Sequence, residues 1–229
     1  MEFCGLTKTS TLDYPGKIAA VLFAPGCNYD CFYCHNRALL EKQAPRLDPA
    51  EVEEFLEKRR GLVDAVVLTG GEATLQAGLA DFAKELHKKG YLVKLDTNGS
   101  NPEIVEKLLK QHLLDYMALD YKAPWDRYRE ICGGAADPEA VQKTLNLLLD
   151  SVIDFELRTT VIRQLSEKDL VSMAKSIPQV PHYMLQQYKE PPYFKPEDQF
   201  RVKQKPYGLL TLIELAGKIS AYQPGVAVR

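Results

Sequence analysis

The sequence predicts an α/β fold in which six parallel strands form a partial (β/α)6 barrel, with a functional site at the carboxyl ends of the strands. Short apolar runs alternate six times with amphipathic stretches along the 229 residues, a pattern typical of parallel sheets with helical crossovers. Polar residues follow most of the apolar runs, where the ends of parallel strands would gather them. An open, doubly wound sheet fits the same alternation, and in either case we expect one domain over residues 1–229.

The predicted strands are short and mostly apolar, as strands covered on both faces are. The first, residues 18–24, is bounded by the turn pairs Pro15-Gly16 and Pro25-Gly26. The other five comprise residues 65–69, 92–96, 116–120, 155–161 and 183–187.

Helix start signals lie between these strands. The first predicted helix begins at Asp48-Pro49, where Glu51 is placed to complete a capping box. The second carries apolar residues at helical spacing from Leu75 to Leu86 and ends at a glycine. The remaining four are marked by Asn101-Pro102, Asp137-Pro138, Ser166 with Asp169, and the apolar face from Leu209 to Ile219.

The composition restricts the classes of partner and the compartment. Apolar residues make up 45% of the chain and charged residues 26%, and the formal net charge of -2 gives no basic field for a polyanion, so we expect no nucleic acid partner. The amino terminus lacks a charged-then-apolar signal pattern and no apolar run reaches membrane-spanning length, so we expect a cytoplasmic protein with no membrane partner. The five cysteines, three of them clustered, do not form the pattern of a disulfide framework.

Three cysteines lie close together directly after the first strand. Cys27, Cys31 and Cys34 have C-x3-C-x2-C spacing, which lets three thiolates converge on one metal centre and leaves one coordination position open. A structural zinc site completed by His35 or by a distant ligand is the alternative. It is disfavoured because His35 directly follows Cys34 and could not easily turn back onto the same metal.

At this loop the sequence resembles a known family. The segment Cys27-Asn-Tyr-Asp-Cys-Phe-Tyr-Cys34 resembles the signature of radical S-adenosylmethionine (radical SAM) enzymes. The flanking segments Asp13-Tyr-Pro-Gly-Lys17 and Cys34-His-Asn-Arg37 are similar to those of the activating enzymes of glycyl radical enzymes, above all the branch that activates anaerobic ribonucleoside-triphosphate reductase. The resemblance covers the first four predicted strands and fades beyond residue 125.

The resemblance implies two cofactors, a [4Fe-4S] cluster held by Cys27, Cys31 and Cys34 and an S-adenosylmethionine that chelates the open iron. In this family an electron passed from the cluster into the sulfonium gives methionine and a 5′-deoxyadenosyl radical. Because the cofactors supply the chemistry, we nominate no residue as a catalytic acid or base.

A second motif follows the second strand. Gly70-Gly71-Glu72 resembles the family's Gly-Gly-Glu motif, which implies that it holds the methionine amino group, while Tyr33 is implied to lie against the adenine. Taken alone, the glycine pair would be a tight turn and Tyr33 an aromatic that packs the loop.

Two more motifs follow the third and fourth strands. Asp96-Thr-Asn98-Gly and Asp120-Tyr-Lys122 resemble the Asp-Thr-Asn-Gly and Asp-x-Lys motifs of the activating enzymes, which implies that Asp96, Asn98, Asp120 and Lys122 bind the cofactor. Opposite charges would suit its cationic sulfonium and anionic carboxylate. Without the family, these segments would be a turn with a helix cap and a surface ion pair.

One basic residue stands within an otherwise apolar strand. Arg158 would be costly to bury unpaired, so it faces a cofactor or substrate or pairs with a carboxylate, and we favour a place in the site. The sequence assigns no role to Gln186, Gln187, Cys4 or Cys132.

The function expected from the resemblance is hydrogen-atom removal from a glycine of a partner glycyl radical enzyme, foremost an anaerobic ribonucleotide reductase. A flavodoxin- or ferredoxin-type protein is the expected electron donor. The absence of further cysteines between Cys34 and Cys132 suits the short activating enzymes, which lack a ferredoxin-like insert. The alternatives are a radical SAM enzyme acting on a small molecule, similar to the carboxy-deazaguanine synthases, and a non-catalytic iron-sulfur or zinc protein.

Overall fold

The computed structural model describes residues 1–40 and 44–229, which contain one eight-stranded sheet in the order β1 to β8. Strands β2 to β8 run parallel to their neighbours, and β1 is antiparallel to β2. Because β1 and β8 remain as edges, the sheet is an open partial barrel, and the predicted fold class is confirmed. The strands are β1 (Gly5–Ser10), β2 (Ala19–Ala24), β3 (Ala65–Gly70), β4 (Leu92–Thr97), β5 (Tyr116–Asp120), β6 (Asp154–Val161), β7 (Tyr183–Gln187) and β8 (Val226–Val228).

The predicted strands correspond to β2 through β7, with bounds that differ by at most one residue at either end. The sequence analysis missed both edge strands. Strand β1 reads GLTKTS and is exposed through its centre, so it lacks the apolar run that marks a buried strand. Strand β8 has three residues, which is too short to produce a pattern.

Eight helices connect the strands or pack around them within the described ranges. They are α1 (Pro49–Arg59), α2 (Leu79–Lys88), α3 (Pro102–Lys110), α4 (Tyr128–Cys132), α5 (Pro138–Leu149), α6 (Glu167–Lys175), α7 (Gln199–Val202) and α8 (Leu209–Ile219). The short helices α4 and α7 were not predicted, because neither is long enough for an apolar period to emerge.

The helix starts follow the predicted signals with two corrections. The capping box of Ser166 with Asp169 is present at α6. At α1 the Asp48 carboxylate accepts a hydrogen bond from the backbone N–H of Ala50 at 2.8 Å, so the predicted box with Glu51 is wrong. Helix α2 begins at Leu79, because residues 73–75 form a separate 3-10 turn that leaves Leu75 exposed.

The two faces of the sheet have different cores. Residues such as Leu68 and Leu95 face the helices and belong to the main apolar cluster. The opposite face holds a smaller cluster that includes Val21, Val67 and Tyr116, and Tyr14 from the loop before β2 packs into it. That loop therefore fills the inside of the barrel, below the carboxyl ends of the strands. Within residues 1–40 and 44–229, none of the helices is long and apolar enough to span a membrane.

Candidate functional site

The carboxyl ends of β2 to β6 bring the predicted site residues together. The backbone N–H of Glu72, after β3, donates to the Gly26 carbonyl in the cysteine loop at 2.7 Å. The Asn98 side chain, after β4, lies 3.7 Å from the Cys27 sulfur. Arg158, on β6, reaches residues on β4 and β5. The predicted convergence at this edge of the sheet is therefore observed.

Arg37, at the carboxyl end of the cysteine loop, stabilises the conformation of the loop. The Arg37 guanidinium donates to the Cys31 carbonyl at 2.8 Å and pairs with Asp30 at 2.9 Å. Cys31 is buried, while Cys27 and Cys34 are half-buried. Burial raises the pKa of the Cys27 thiol to about 12 and also raises the pKa of Cys34. Metal binding to these two thiols therefore releases protons at neutral pH.

The spacing of the thiols bears on the kind of centre they can hold. Within the described part of the chain, no three His, Cys, Asp or Glu side chains converge closely enough to ligate one metal ion. In an iron-sulfur cluster each cysteine binds a different iron atom, so its ligands stand further apart than those of one zinc ion.

Three buried hydroxyl groups in or near the cysteine loop have no hydrogen-bond partner among the described residues. They are the hydroxyls of Tyr29 and Tyr33, in the loop, and of Ser100, just after the Asn98 turn. A buried polar atom left unsatisfied costs about 1–3 kcal/mol. Unsatisfied hydroxyls in the loop and after β4 fit a bound polar ligand such as S-adenosylmethionine.

The glycine pair at the end of β3 is required by close contacts, of Gly70 with the end of β2 and of Gly71 with the cysteine loop. Gly70 has φ +124, and a Cβ atom at Gly71 would lie 1.9 Å from the Gly26 carbonyl oxygen. Gly71 also donates its N–H to Ala24 at 2.9 Å. In the sequence analysis the glycines were interpreted as part of a motif that holds the methionine amino group, or as a tight turn. The structure shows that the chain's own cysteine loop closely approaches Gly71.

Replacing Gly71 by alanine is expected to lower the free energy of unfolding by about 3 kcal/mol, because backbone atoms cannot yield to the new methyl group. Urea denaturation measures this change. Gly217→Ala is the matched control, since Gly217 lies exposed in α8 with open space around its Cα, and it should gain up to about 1 kcal/mol. Equal stability of the two variants would contradict the loop contact.

Glu72 is a buried link between the ends of β3 and β4. Its Oε1 atom accepts from the Thr97 hydroxyl at 2.7 Å and from the hydroxyl and N–H of Thr74 at 2.6 and 3.1 Å. Its Oε2 atom accepts from the backbone N–H of Asn98 at 2.7 Å. Burial raises the pKa of the Glu72 carboxyl, and these donors oppose the shift. Glu72 therefore fixes the turn that carries Asn98.

Four of the predicted residues form an alternating charge network. The Arg158 guanidinium bridges Asp96 at 3.0 Å and Asp120 at 2.9 Å, and Lys122 pairs with Asp120 at 2.9 Å. Burial alone would raise the pKa of Asp120, but Lys122 and Arg158 outweigh it and lower the pKa to about 2. Of the two alternatives given for Arg158, pairing with carboxylates is observed, and its favoured place in the cofactor site stays a prediction. The ion pair of Asp120 with Lys122 also exists, with both side chains largely buried in the network.

Sequence reasoning missed the layer of charge beneath this network. Lys94 is fully buried, donates to the Asp13 carbonyl, and has carboxylate oxygens of Asp96 and Glu156 at 3.2 and 3.5 Å. The signal was present as a two-residue period, because Lys94 and Asp96 alternate with apolar residues along β4, as do Glu156 and Arg158 along β6. Lys94 thus ties the loop before β2 to the floor of the site.

Comparison with known proteins extends the sequence resemblance. Residues 21–177 match the sequence model of the radical SAM superfamily. The chain is 35% identical over 191 residues to a Methanocaldococcus jannaschii protein with the provisional name glycyl-radical enzyme activating enzyme. That match covers 81% of this chain and 79% of the relative.

Two further likenesses are more distant. The 7-carboxy-7-deazaguanine synthase of Clostridium acetobutylicum is 31% identical over 110 residues, which cover 48% of this chain and 49% of that enzyme. The crystal structure of Streptococcus suis SuiB bound to S-adenosylmethionine is 18% identical, with a TM-score of 0.67 over 91% of this chain and 51% of SuiB. The likeness to SuiB shows a shared fold.

Proposed function

The chain belongs to the radical SAM superfamily, and from that membership we propose that it is an activating enzyme for a partner glycyl radical enzyme. It would remove a hydrogen atom from a backbone glycine of the partner, with an anaerobic ribonucleotide reductase as the first candidate. The superfamily uses a [4Fe-4S] cluster and S-adenosylmethionine, so both predicted cofactors are confirmed. Bound together and given one electron, they supply a 5′-deoxyadenosyl radical.

The observation that carries the proposal is the 35% identity with the provisionally named activating enzyme, which extends over 81% of this chain. The Asp-Thr-Asn-Gly and Asp-x-Lys segments support it, because they lie at the ends of neighbouring strands and are joined through Arg158. A protein substrate follows from the activating role, and a flavodoxin- or ferredoxin-type protein is the proposed electron donor.

In the proposed site, the cysteine loop would bind the cluster and the adenine, and the strand ends would bind the rest of S-adenosylmethionine. Cys27, Cys31 and Cys34 would hold the cluster, and Tyr33 would lie against the adenine. The main chain at Gly70 and Gly71 would bind the methionine amino group, with Glu72 holding the neighbouring turn in place. Four protein donors already occupy the Glu72 carboxylate. We therefore assign Glu72 to support of the turn that carries Asn98 and not to direct contact with the methionine amino group.

The charge network would orient the zwitterionic methionine end and the ribose. Asp96 and Asp120 offer carboxylates, Lys122 and Arg158 offer cations, and Asn98 stands between this network and Cys27. Because the charges already pair with one another, they are fixed before the ligand arrives. Such preorganisation reduces the reorganisation needed on binding.

A second candidate function is radical chemistry on a small molecule. The 31% identity with 7-carboxy-7-deazaguanine synthase favours it, although that match covers about half of each chain. The reaction would use the same cofactors, and the substrate would then be bound within the open side of the barrel.

Formation of 5′-deoxyadenosine tests the proposal. The protein would be reconstituted with iron and sulfide without oxygen, and then mixed with S-adenosylmethionine and a strong reductant, with and without a candidate reductase. We expect 5′-deoxyadenosine to form and the candidate reductase to increase its yield. Failure of the reconstituted protein to form it would exclude both radical functions, while formation unaffected by any glycyl radical enzyme would favour the small-molecule function.

A further inference from the structure

A fourth cysteine lies directly beneath the cysteine loop. Cys132 ends α4, and its carbonyl accepts a hydrogen bond from the backbone N–H of Asp30 at 2.9 Å. The next residue, Gly133, packs so closely that a Cβ atom there would lie 3.1 Å from the Asp30 side chain. The residue before Cys31 is thus in main-chain contact with Cys132.

The two thiols face each other across this contact. Cys132 is fully buried and Cys31 is 8% exposed. The neighbouring Cys132 thiol lowers the pKa of Cys31, while burial and then the Cys31 thiol raise the pKa of Cys132. The main-chain hydrogen bond joins Cys132 to Asp30, the residue before Cys31, so the two cysteines lie on directly contacting segments of the chain, as a disulfide requires. The structure records both cysteines as free thiols.

The other two loop cysteines have different surroundings. The Cys27 sulfur accepts a hydrogen bond from the Tyr29 N–H at 3.4 Å and lies 3.7 Å from the Asn98 amide nitrogen, so it is directed toward the end of β4. Cys34 lies one turn after Cys31, with its N–H donating to the Cys31 carbonyl at 3.1 Å. Cys31 is therefore the loop thiol that Cys132 is placed to meet.

We propose that Cys31 and Cys132 form a reversible disulfide once the cluster has been lost to an oxidant. While Cys31 binds iron, its sulfur is not available to Cys132. After cluster loss, the disulfide keeps Cys31 from irreversible oxidation until a dithiol restores it. The inference rests on the family's cluster chemistry and does not depend on which substrate the enzyme uses.

The chemistry balances with hydrogen peroxide as the oxidant. The Cys31 sulfur attacks the peroxide and takes one of its oxygen atoms to become a sulfenic acid. The other oxygen atom of the peroxide leaves as water. The Cys132 sulfur then attacks the Cys31 sulfur, and the hydroxyl group leaves as a second water. Two thiols lose one hydrogen atom each, and one peroxide is reduced to two waters. A dithiol reductant reverses the bond by exchange.

Peptide mapping of the full chain tests the proposal. Cluster-free protein would receive one equivalent of hydrogen peroxide without oxygen, its remaining thiols would be alkylated, and the peptides would be separated without reduction. We expect the main crosslink to join the peptides of Cys31 and Cys132. Dithiothreitol should then release both thiols and restore iron binding, measured as bound iron per chain after reconstitution.

Cys132→Ser and Cys132→Ala should both expose Cys31 to further oxidation. After peroxide, Cys31 in these variants is expected to gain two or three oxygen atoms and to lose most of its recovery of iron binding with dithiothreitol. Cys4→Ser is the matched control, because the Cys4 thiol donates to the Phe23 carbonyl at 3.2 Å, away from the loop, and this variant should behave as the unaltered protein.

Two results would overturn the proposal. The first is a main crosslink within the loop, between any two of Cys27, Cys31 and Cys34. The second is recovery of iron binding in a folded Cys132 variant to the level of the unaltered protein. Circular dichroism before oxidation identifies a variant that fails to fold. Peptide mapping of the unaltered protein shows which two cysteines are crosslinked and needs no variant.

Discussion

Cys34→Ser is expected to remove the cluster and to lower the rate of 5′-deoxyadenosine formation more than about 100-fold. Loss of a group that supports a metal ligand already lowers metal affinity or activity about 10–100-fold, and loss of a ligand itself should lower them more. A serine hydroxyl remains protonated where a cysteine can give a thiolate, and with three protein ligands the cluster has none to spare. Iron content, the visible absorption of the cluster and product formation measure the effect.

Cys4→Ser is again the control, because Cys4 is a free thiol outside the loop that bonds to the Phe23 carbonyl. It should keep full iron content and full rate. A Cys34→Ser protein that retains the cluster absorption and the rate of the Cys4 control would show that Cys34 is not a ligand.

Arg158→Met is expected to lower the free energy of unfolding by about 3–5 kcal/mol, because it leaves buried carboxylates without their shared cation. The guanidinium pairs with Asp96 and Asp120, and Glu156 lies 3.9 Å away. Methionine keeps the length of the side chain and removes its charge. Arg158→Lys keeps the charge but cannot bridge two carboxylates in the same way, so we expect a smaller loss.

Arg163→Met is the matched control for this measurement. Arg163 is exposed and its guanidinium lies 4.3 Å from the centre of the Tyr207 ring, an interaction worth about 1 kcal/mol at such a site. Urea denaturation of all three variants gives the comparison. If Arg158→Met lost no more stability than Arg163→Met, the charge network would not be the support that its geometry indicates.

The sequence was most informative where a local pattern has one physical cause. The apolar runs between turn residues predicted β2 to β7, because strands covered on both faces need them. The spacing of Cys27, Cys31 and Cys34 and the polar residues after each strand predicted where a site would form. The match of residues 21–177 to the radical SAM superfamily confirms the family that the motifs indicated.

The missed features depend on contacts between distant parts of the chain. Edge strand β1 has no apolar run, and its pairing with β2 is decided by the sheet. Two of the four donors to Glu72 come from Thr97 and Asn98 at the end of β4, which sequence spacing does not bring near it. The meeting of Cys132 with Cys31 requires α4, a helix too short to predict. These contacts form only when the chain folds, and the local sequence pattern does not indicate them.

An electron paramagnetic resonance measurement of the partner tests the proposed function most directly. The reconstituted protein would be incubated without oxygen with S-adenosylmethionine, a strong reductant and an anaerobic ribonucleotide reductase or another glycyl radical enzyme from the same organism. The proposal predicts a glycyl doublet in the partner, which should collapse toward a singlet when the partner contains α-deuterated glycine. Formation of 5′-deoxyadenosine without a glycyl signal in any of these partners would contradict it.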